Sequence, residues 1–177
     1  MNIKFLLALF LCFTIAIFSQ EKTAIPDKTF TSESVNWDFI SENYALTGIT
    51  KVQITKTDKG GTITLTVETT NPSYIIAGNV YVDLADNTVL PCIDRNNRSV
   101  KGNEISATYN FSNIEMNKLK ITDIKTIRFN IEGKNDGFGS QTGFFTAVNK
   151  KKYFFTNYDK SKKGFDTAKE ISALYAK

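Results

Sequence analysis

The segment with the strongest chemical character is "KKKYFFTNYDKSKK", which covers residues 150–163 and contains six lysines, four aromatic residues and one acid. Ammonium groups attract anionic lipids and other polyanions, and aromatic rings add a surface for stacking. The segment therefore predicts a site that binds an anionic glycan, a lipid surface or an envelope protein. The residues that we expect to form this site are Lys150, Lys151, Lys152, Tyr153, Tyr158, Lys162 and Lys163.

Two other interpretations of the same segment stay open. In the first, residues 153–155 form a strand that enters the core, and the lysines keep an exposed sheet edge from pairing with another chain. Residues 160–163 then form a solvated turn before the last helix. In the second, Tyr153 and Tyr158 stack on single-stranded nucleic acid. The N-terminus predicts export, so no nucleic acid partner is expected.

Carboxylates are the other residues that could do chemistry, because a glycosidase needs only two of them in one cleft. The candidates are Asp83, Asp86, Asp94 and Asp136. Asp86 and Asp136 stand in turn contexts that already explain their presence. A hydrolase with paired carboxylates is therefore the alternative function, and no individual catalytic residue is assigned.

The composition excludes several classes of enzyme site. The chain has no histidine, so it lacks the commonest general base and the imidazole ligand of most zinc and copper sites. It contains neither a P-loop nor a Gly-x-Gly-x-x-Gly sequence. Asn135 and Asp136 could offer oxygens to calcium, but no EF-hand spacing surrounds them. We therefore expect no metal and no cofactor.

The N-terminus predicts export to the periplasm or to the outside of the cell. Lys4 precedes a largely apolar run over residues 5–18, which is shorter than the roughly 20 residues of a membrane span and fits the apolar region of a signal peptide. Cleavage after Ser19 would remove residues 1–19 and leave residues 20–31 as a polar leader. No transmembrane segment would remain, although an uncleaved N-terminal anchor is the alternative.

Two cysteines and one tryptophan are the other residues that could be functional. Cys12 follows a leucine within the apolar run and does not fit a lipidation site. Cys92 would be the only cysteine of the mature chain, which cannot then form an internal disulfide. Free cysteine and tryptophan are usually interior, so we expect Cys92 and Trp37 in the core. Removal of the signal peptide also removes Lys4 and lowers the net charge from +4 to +3. This charge is much weaker than the basic charge that is typical of a nucleic-acid-binding protein.

The elements that must position these residues are mostly strands. Apolar residues alternate in "KVQITKT" and "TITLTVE", which flank a glycine turn at 58–61 and predict a hairpin. Alternation recurs in "NVYVDL", "TVLPCI", "EISATYNF" and "IKTIRFNIE". Pro91 is expected at a sheet edge or a bulge because it donates no ladder hydrogen bond. "FFTAVN" and "YFFTNY" are predicted as two late strands.

Two short helices complete the predicted fold. Ser112 with Glu115, and Thr167 with Glu170, have the spacing of a capping box at a helix N-terminus. The predicted fold is mainly β, an antiparallel β-sandwich that is Ig-like or related. It has about 7–9 strands, one short inserted helix and a C-terminal helix. Residues 32–177 would form this single domain.

The stretch over residues 79–131 resembles small exported β-rich proteins of unknown function from Gram-negative bacteria. The resemblance rests on a "VYVDLADNTVL" hairpin, a "SATYNF" strand, an "SNIEMNKLK" helix and an "IKTIRFNI" strand. It implies export and a β-rich fold, and it brings no activity and no functional residue. These features together predict a non-catalytic exported module that binds an envelope or extracellular partner.

Overall fold

The structure is a computed structural model that describes residues 33–43, 47–133 and 141–176. The predicted signal peptide at 1–19 and the predicted leader at 20–31 lie outside the described residues. Within the described part, no helix is long and apolar enough to cross a membrane.

The described residues form nine strands and two short helices. The strands are β1 (Ser34–Glu42), β2 (Thr47–Thr57), β3 (Gly60–Glu68), β4 (Ile75–Leu84), β5 (Val89–Cys92), β6 (Arg98–Lys101), β7 (Glu104–Ser112), β8 (Ile124–Glu132) and β9 (Gly143–Val148). The helices are α1 (Asn113–Leu119), between β7 and β8, and α2 (Thr167–Ala173), near the C-terminus.

The strands build one antiparallel sheet in the order β5-β4-β8-β9-β1-β2-β3-β7-β6. The predicted antiparallel β class, the strand number, the inserted helix and the C-terminal helix are confirmed. The sheet curls so that β4 and β5 approach β7 across the interior. Two halves of one sheet therefore face each other around a common core, which is the sandwich-like arrangement that the strand pattern predicts.

A polar seam holds the curled sheet together where β4 meets β6 and β7. The Tyr109 hydroxyl donates to the carbonyl oxygen of Gly78 at 3.1 Å, and Arg98 Nε donates to the carbonyl oxygen of Ile76 at 2.6 Å. Asp94 pairs with the Arg98 guanidinium and accepts from the Gly78 N–H at 3.0 Å. These bonds tie strands that are not ladder neighbours, so they favour the curled sheet over a flat one.

The core is a single apolar cluster to which both halves of the sheet contribute. Alternate residues of each long strand point inward, as the period-two pattern predicts. The largest side chains with almost no exposure are Tyr109, Phe39, Phe129, Ile54, Ile63, Leu65, Ile76, Leu84, Ile105, Met116, Leu119 and Ile124. Interior packing of this kind is what a domain without a disulfide needs for stability.

The structure confirms the predictions for Cys92, Trp37 and Pro91, whereas Cys12 lies outside the described residues. Cys92 has no exposed surface, and its burial, with a smaller contribution from Glu115, raises the pKa of the thiol to about 12. Trp37 is buried in the core. Pro91 lies on β5, which is an edge strand of the sheet.

Helix α1 begins as the capping-box spacing predicts. The Glu115 N–H donates to Ser112 Oγ at 3.3 Å, and the Ser112 N–H donates to Glu115 Oε2 at 2.7 Å. Helix α2 also forms, but the predicted Thr167–Glu170 capping box is wrong. The N-cap residue is Asp166, and its side chain makes no cap bond. Thr167 and Glu170 do not form a capping box because their side chains bond to the Ile124 N–H and to Trp37.

Candidate functional site

The lysine-rich segment 150–163, named the lysine loop here, connects β9 to α2 and is closed at its base. Asn149 Nδ2 donates to the carbonyl oxygens of Ile124 at 2.8 Å and Phe165 at 3.1 Å, while Asn149 Oδ1 accepts from the Phe165 N–H at 2.7 Å. The Lys151 N–H donates to the carbonyl oxygen of Lys163 at 2.9 Å. A long loop with adjoining ends is an Ω-loop, a class that is frequently functional.

The predicted strand "YFFTNY" is wrong, because the lysine loop contains no strand. Tyr153 is 41% exposed, Phe154 is 90% exposed and Tyr158 is 93% exposed. The interpretation in which residues 153–155 feed the core fails with the strand. Phe154 and Tyr158 stand in solvent instead, while Phe155 is half-buried.

The lysines of the loop differ in how far neighbouring acids neutralise them. Lys162 forms an ion pair with Asp166 and lies 3.8 Å from Asp123 Oδ2. Lys150 Nζ lies 3.9 Å from Glu42 Oε1. Both lysines are about half exposed, and surface pairs of this kind contribute little to stability. The acids do reduce the net positive charge near the base of the loop.

The remaining predicted lysines lie against rings or near the loop's own acid. Lys151 Nζ is 5.5 Å from the centroid of the Phe165 ring, and Lys163 Nζ is 5.6 Å from that of Phe155. The pKa of Asp159 is lowered, first by its hydrogen bonds with Ser161 and then by the charges of Lys152 and Lys163. All seven predicted binding residues thus belong to one loop. The ammonium groups of its lysines have different neighbours, which are carboxylates for Lys150 and Lys162 and aromatic rings for Lys151 and Lys163.

A cavity of about 510 Å³ opens at the end of the curled sheet away from the two helices. Its apolar surface includes Phe129 and Phe145, whose rings stack with centroids 5.7 Å apart. Tyr153 of the lysine loop also lines it. The cavity is bounded by Asp38, Ser41, Gly48, Ile49, Lys51, Thr66, Val67, Glu68, Thr69, Thr70, Asn103, Glu104, Phe129, Ile131, Gln141, Phe145 and Tyr153.

The charged side chains of the cavity are mainly acidic. Lys51 Nζ lies 2.6 Å from Glu104 Oε1, and this contact lowers the pKa of Glu104 and raises the pKa of Lys51. Asp38 and Glu68 raise the pKa of Lys51 further. The cavity therefore has three carboxylates and one ammonium group, the opposite balance to that of the lysine loop.

Hydroxyl groups line the same cavity and bond mostly to one another or to the backbone. Ser41 Oγ is hydrogen bonded to Thr50 Oγ1 in the interior. Thr69 Oγ1 donates to the carbonyl oxygen of Asn71 at 3.0 Å. Gln141 Oε1 accepts from the N–H of Thr70 at 2.7 Å and from its hydroxyl at 2.6 Å. These groups make the wall of the cavity polar without leaving their own bonds unmade.

The three predicted carboxylates that the structure describes, Asp83, Asp86 and Asp94, do not line this cavity. Although burial opposes it, the hydrogen bonds from Arg128 and Thr126 lower the pKa of Asp83. Asp86 accepts from the Thr88 N–H at 2.9 Å, which lowers the pKa of Asp86. A general acid needs a raised pKa, so these environments suit structural anions.

Asp94 is the third of these carboxylates, and it belongs to the seam. It bonds to Arg98, to the Gly78 N–H and to the Asn96 N–H. The fourth, Asp136, lies outside the described residues, as does its neighbour Asn135. Among the described residues, no group of three or more acids or cysteines is placed to hold a metal ion.

The cavity was missed by sequence reasoning because its walls come from distant parts of the chain. Ser41, Thr69 and Phe145 belong to different segments that only the sheet order brings together. No spacing within any one segment signals their proximity. The lysine loop, in contrast, is one continuous segment and could be found by composition.

No family model, curated protein or solved structure matches this chain.

Proposed function

We propose that the protein is a non-catalytic exported module that binds an anionic partner of the cell envelope or the extracellular space through the lysine loop. The observation that supports this most directly is the projecting loop with a closed base. It presents lysines together with nearly fully exposed Phe154 and Tyr158. Exposed apolar groups that border a charged patch are typical of interaction sites.

The charge of the loop supplies an attraction that depends on salt. Lysines close to an anionic surface contribute about 1 kcal/mol each at most, and this falls off within a Debye length of about 8 Å at physiological salt. Among the described residues, Lys152 and Lys160 have no carboxylate within ion-pair distance, unlike Lys150 and Lys162. They are therefore the most available to a partner.

A hydrolase with paired carboxylates is the alternative proposal, and the acids that line the cavity give it a location. The paired Glu104 has a lowered pKa, which does not suit a general acid. Asp38 and Glu68 are the other carboxylates there. Hydrolysis of a polysaccharide that disappears in D38N or E68Q variants would favour the hydrolase over the binding module.

The binding proposal is tested by neutralising lysines in the loop. In a K150Q/K151Q/K152Q variant, affinity for an acidic polysaccharide resin or for anionic vesicles should fall by up to about 100-fold, because three favourable charges are lost. Retention should also fall as sodium chloride is raised. The measurement is binding to both surfaces over a salt titration.

A matched control keeps the change in net charge the same and moves it elsewhere. Lys59, Lys101 and Lys125 are exposed and lie outside the lysine loop, and replacing all three by glutamine should lower binding much less. Equal losses in the two variants would mean that only overall charge matters. An unchanged affinity in the loop variant would refute the proposal.

A further inference from the structure

The lysine loop combines charge with apolar surface in a definite order. Lysines occupy residues 150–152, 160, 162 and 163, and the aromatic residues lie between these two groups. Phe154 and Tyr158 are exposed to 90% and 93%, although large apolar side chains are normally withdrawn from water. A polyanion without apolar chains would pair with the lysines and would leave Phe154 in water.

The interface of a lipid bilayer accommodates both kinds of side chain. Lysine stems lie along apolar surface while their ammonium groups remain with the headgroups, and tyrosine has an apolar ring with a polar tip. Phenylalanine is typical of the apolar side of segments that lie in the membrane interface. The order of residues in the lysine loop fits this environment, because the lysines flank Phe154 and Tyr158 on both sides in the sequence.

The base of the loop limits the ordering that binding would require. Asn149 bonds to Phe165 in both directions, and the Lys151 N–H bonds to the Lys163 carbonyl oxygen. Within the loop, the Asp159 N–H donates to the Thr156 carbonyl oxygen at 3.0 Å. A loop that is already closed loses less conformational freedom when it binds.

We infer that the lysine loop docks on an anionic lipid bilayer, with Phe154 and Tyr158 entering the headgroup region and the flanking lysines pairing with lipid phosphates. This inference rests on the proposed function, of which it names the partner. The acids nearest to the loop lysines are Glu42, Asp123 and Asp166, and they contact Lys150 and Lys162 near the two ends of the loop. They therefore reduce the attraction between anionic lipid and the middle of the loop least.

The test separates the aromatic contribution from the charge. Binding of the full chain is measured by cosedimentation with mixed phosphatidylcholine–phosphatidylglycerol vesicles, with phosphatidylcholine vesicles, and by retention on an acidic polysaccharide resin. An F154A/Y158A variant should bind the mixed vesicles at least about tenfold less tightly at physiological salt, since it lacks the two rings that enter the bilayer. Its retention on the resin should be unchanged.

The chain offers a matched control and a direct probe of insertion. Phe144 lies on β9 outside the loop and is 82% exposed, so F144A removes an equally exposed ring and should leave vesicle binding unchanged. In an F154W variant, the new indole should be quenched by brominated phosphatidylglycerol. Trp37, the only native tryptophan, is buried and should not respond.

The outcomes distinguish this inference from the function on which it rests. Equal vesicle binding by the wild-type protein and F154A/Y158A, or no quenching of F154W, would refute insertion while leaving charge-driven binding in place. Binding to the resin without binding to mixed vesicles would refute the lipid partner alone. Failure to bind vesicles and resin alike would refute the proposed function itself.

Discussion

The two ends of the curled sheet differ in what their polar side chains do. At the helical end, side chains join α2 to the strands. Trp37 Nε1 donates to Glu170 Oε2 at 2.8 Å, and the Tyr175 hydroxyl donates to the carbonyl oxygen of Gly60 at 3.1 Å. The Ile124 N–H donates to Thr167 Oγ1 at 2.8 Å. Each bond links residues that are far apart in the sequence, so this end behaves as a closure.

At the opposite end, the polar side chains line an opening. Lys51 and Glu104 form an exposed ion pair, and Glu68 lines the same cavity. The stacked rings of Phe129 and Phe145 form part of its apolar wall. This end keeps about 510 Å³ of accessible space that helices fill at the other end.

The comparison leads us to expect that stability and the proposed binding depend on different parts of this fold. Hydrogen bonds between distant segments join α2 to the strands at the helical end, where buried side chains of both helices pack on the core. The lysine loop starts beside that end and presents Phe154 and Tyr158 to solvent. We therefore expect substitutions at the helical end to change stability, and substitutions in the loop to change binding.

The largest expected effect on stability is that of G60A at the helical end. Gly60 has a φ of +141°, and a Cβ built there would collide with the backbone of Phe111. Alanine must therefore displace β3 from β7, and we expect a loss of about 3 kcal/mol or more in the free energy of unfolding. Urea denaturation followed by circular dichroism measures it.

A glycine at the open end is the matched control. Gly102 has a φ of +60°, but a Cβ there would have no heavy atom within 4 Å. G102A should cost about 1 kcal/mol, which is the conformational penalty alone. Equal losses for G60A and G102A would contradict the view that the helical end is the more tightly packed.

The strands at both ends could be predicted from sequence because their cause is local. Alternation of apolar residues defines which face is buried, and the glycine turn at 58–61 supplies the hairpin that the structure contains. The Ser112–Glu115 capping box is equally local, since both bonds form within one turn. Such features need no knowledge of the remaining chain.

The predictions that failed depended on neighbours that a sequence does not reveal. "YFFTNY" has strand-like composition, but the chain leaves the sheet after β9, and none of these residues pairs with a neighbouring strand. Glu170 has capping-box spacing, but its carboxylate accepts a hydrogen bond from Trp37, which is distant in the sequence. The cavity depended on the sheet order for the same reason.

A second test of the comparison removes one buried acceptor from the helical end. T167V keeps the shape of the side chain but leaves the Ile124 N–H, which is buried, without its acceptor. An unsatisfied buried donor costs about 2 kcal/mol, so the free energy of unfolding should fall by that amount. Urea denaturation is again the measurement.

The counterpart at the open end replaces both partners of a buried hydrogen bond. In S41A/T50V, the Ser41 and Thr50 hydroxyls disappear together, so no buried donor is left without a partner. We expect a change within about 1 kcal/mol. A loss in S41A/T50V as large as that in T167V would contradict the expectation that an unsatisfied buried donor, and not the loss of a hydrogen bond alone, is what lowers stability.

The smallest expected effect compares the ion pairs near the two ends as pH falls. Asp83 accepts from Arg128 at 2.8 and 2.9 Å and from the Thr126 hydroxyl at 2.7 Å, and its pKa is lowered because these bonds outweigh the effect of burial. A lowered pKa means that the folded protein binds this proton less readily than the unfolded chain. The stabilisation is therefore complete above the unfolded pKa of about 3.9 and disappears as pH falls through the folded value.

The wild-type protein should exceed D83N in stability by less than about 1 kcal/mol at neutral pH, and the difference should vanish in acid. E104Q removes the single, partly exposed contact with Lys51 and should show the same pH dependence with a smaller amplitude. Thermal unfolding of the three proteins between neutral pH and strong acid measures this, and a difference that grows in acid would contradict the sign.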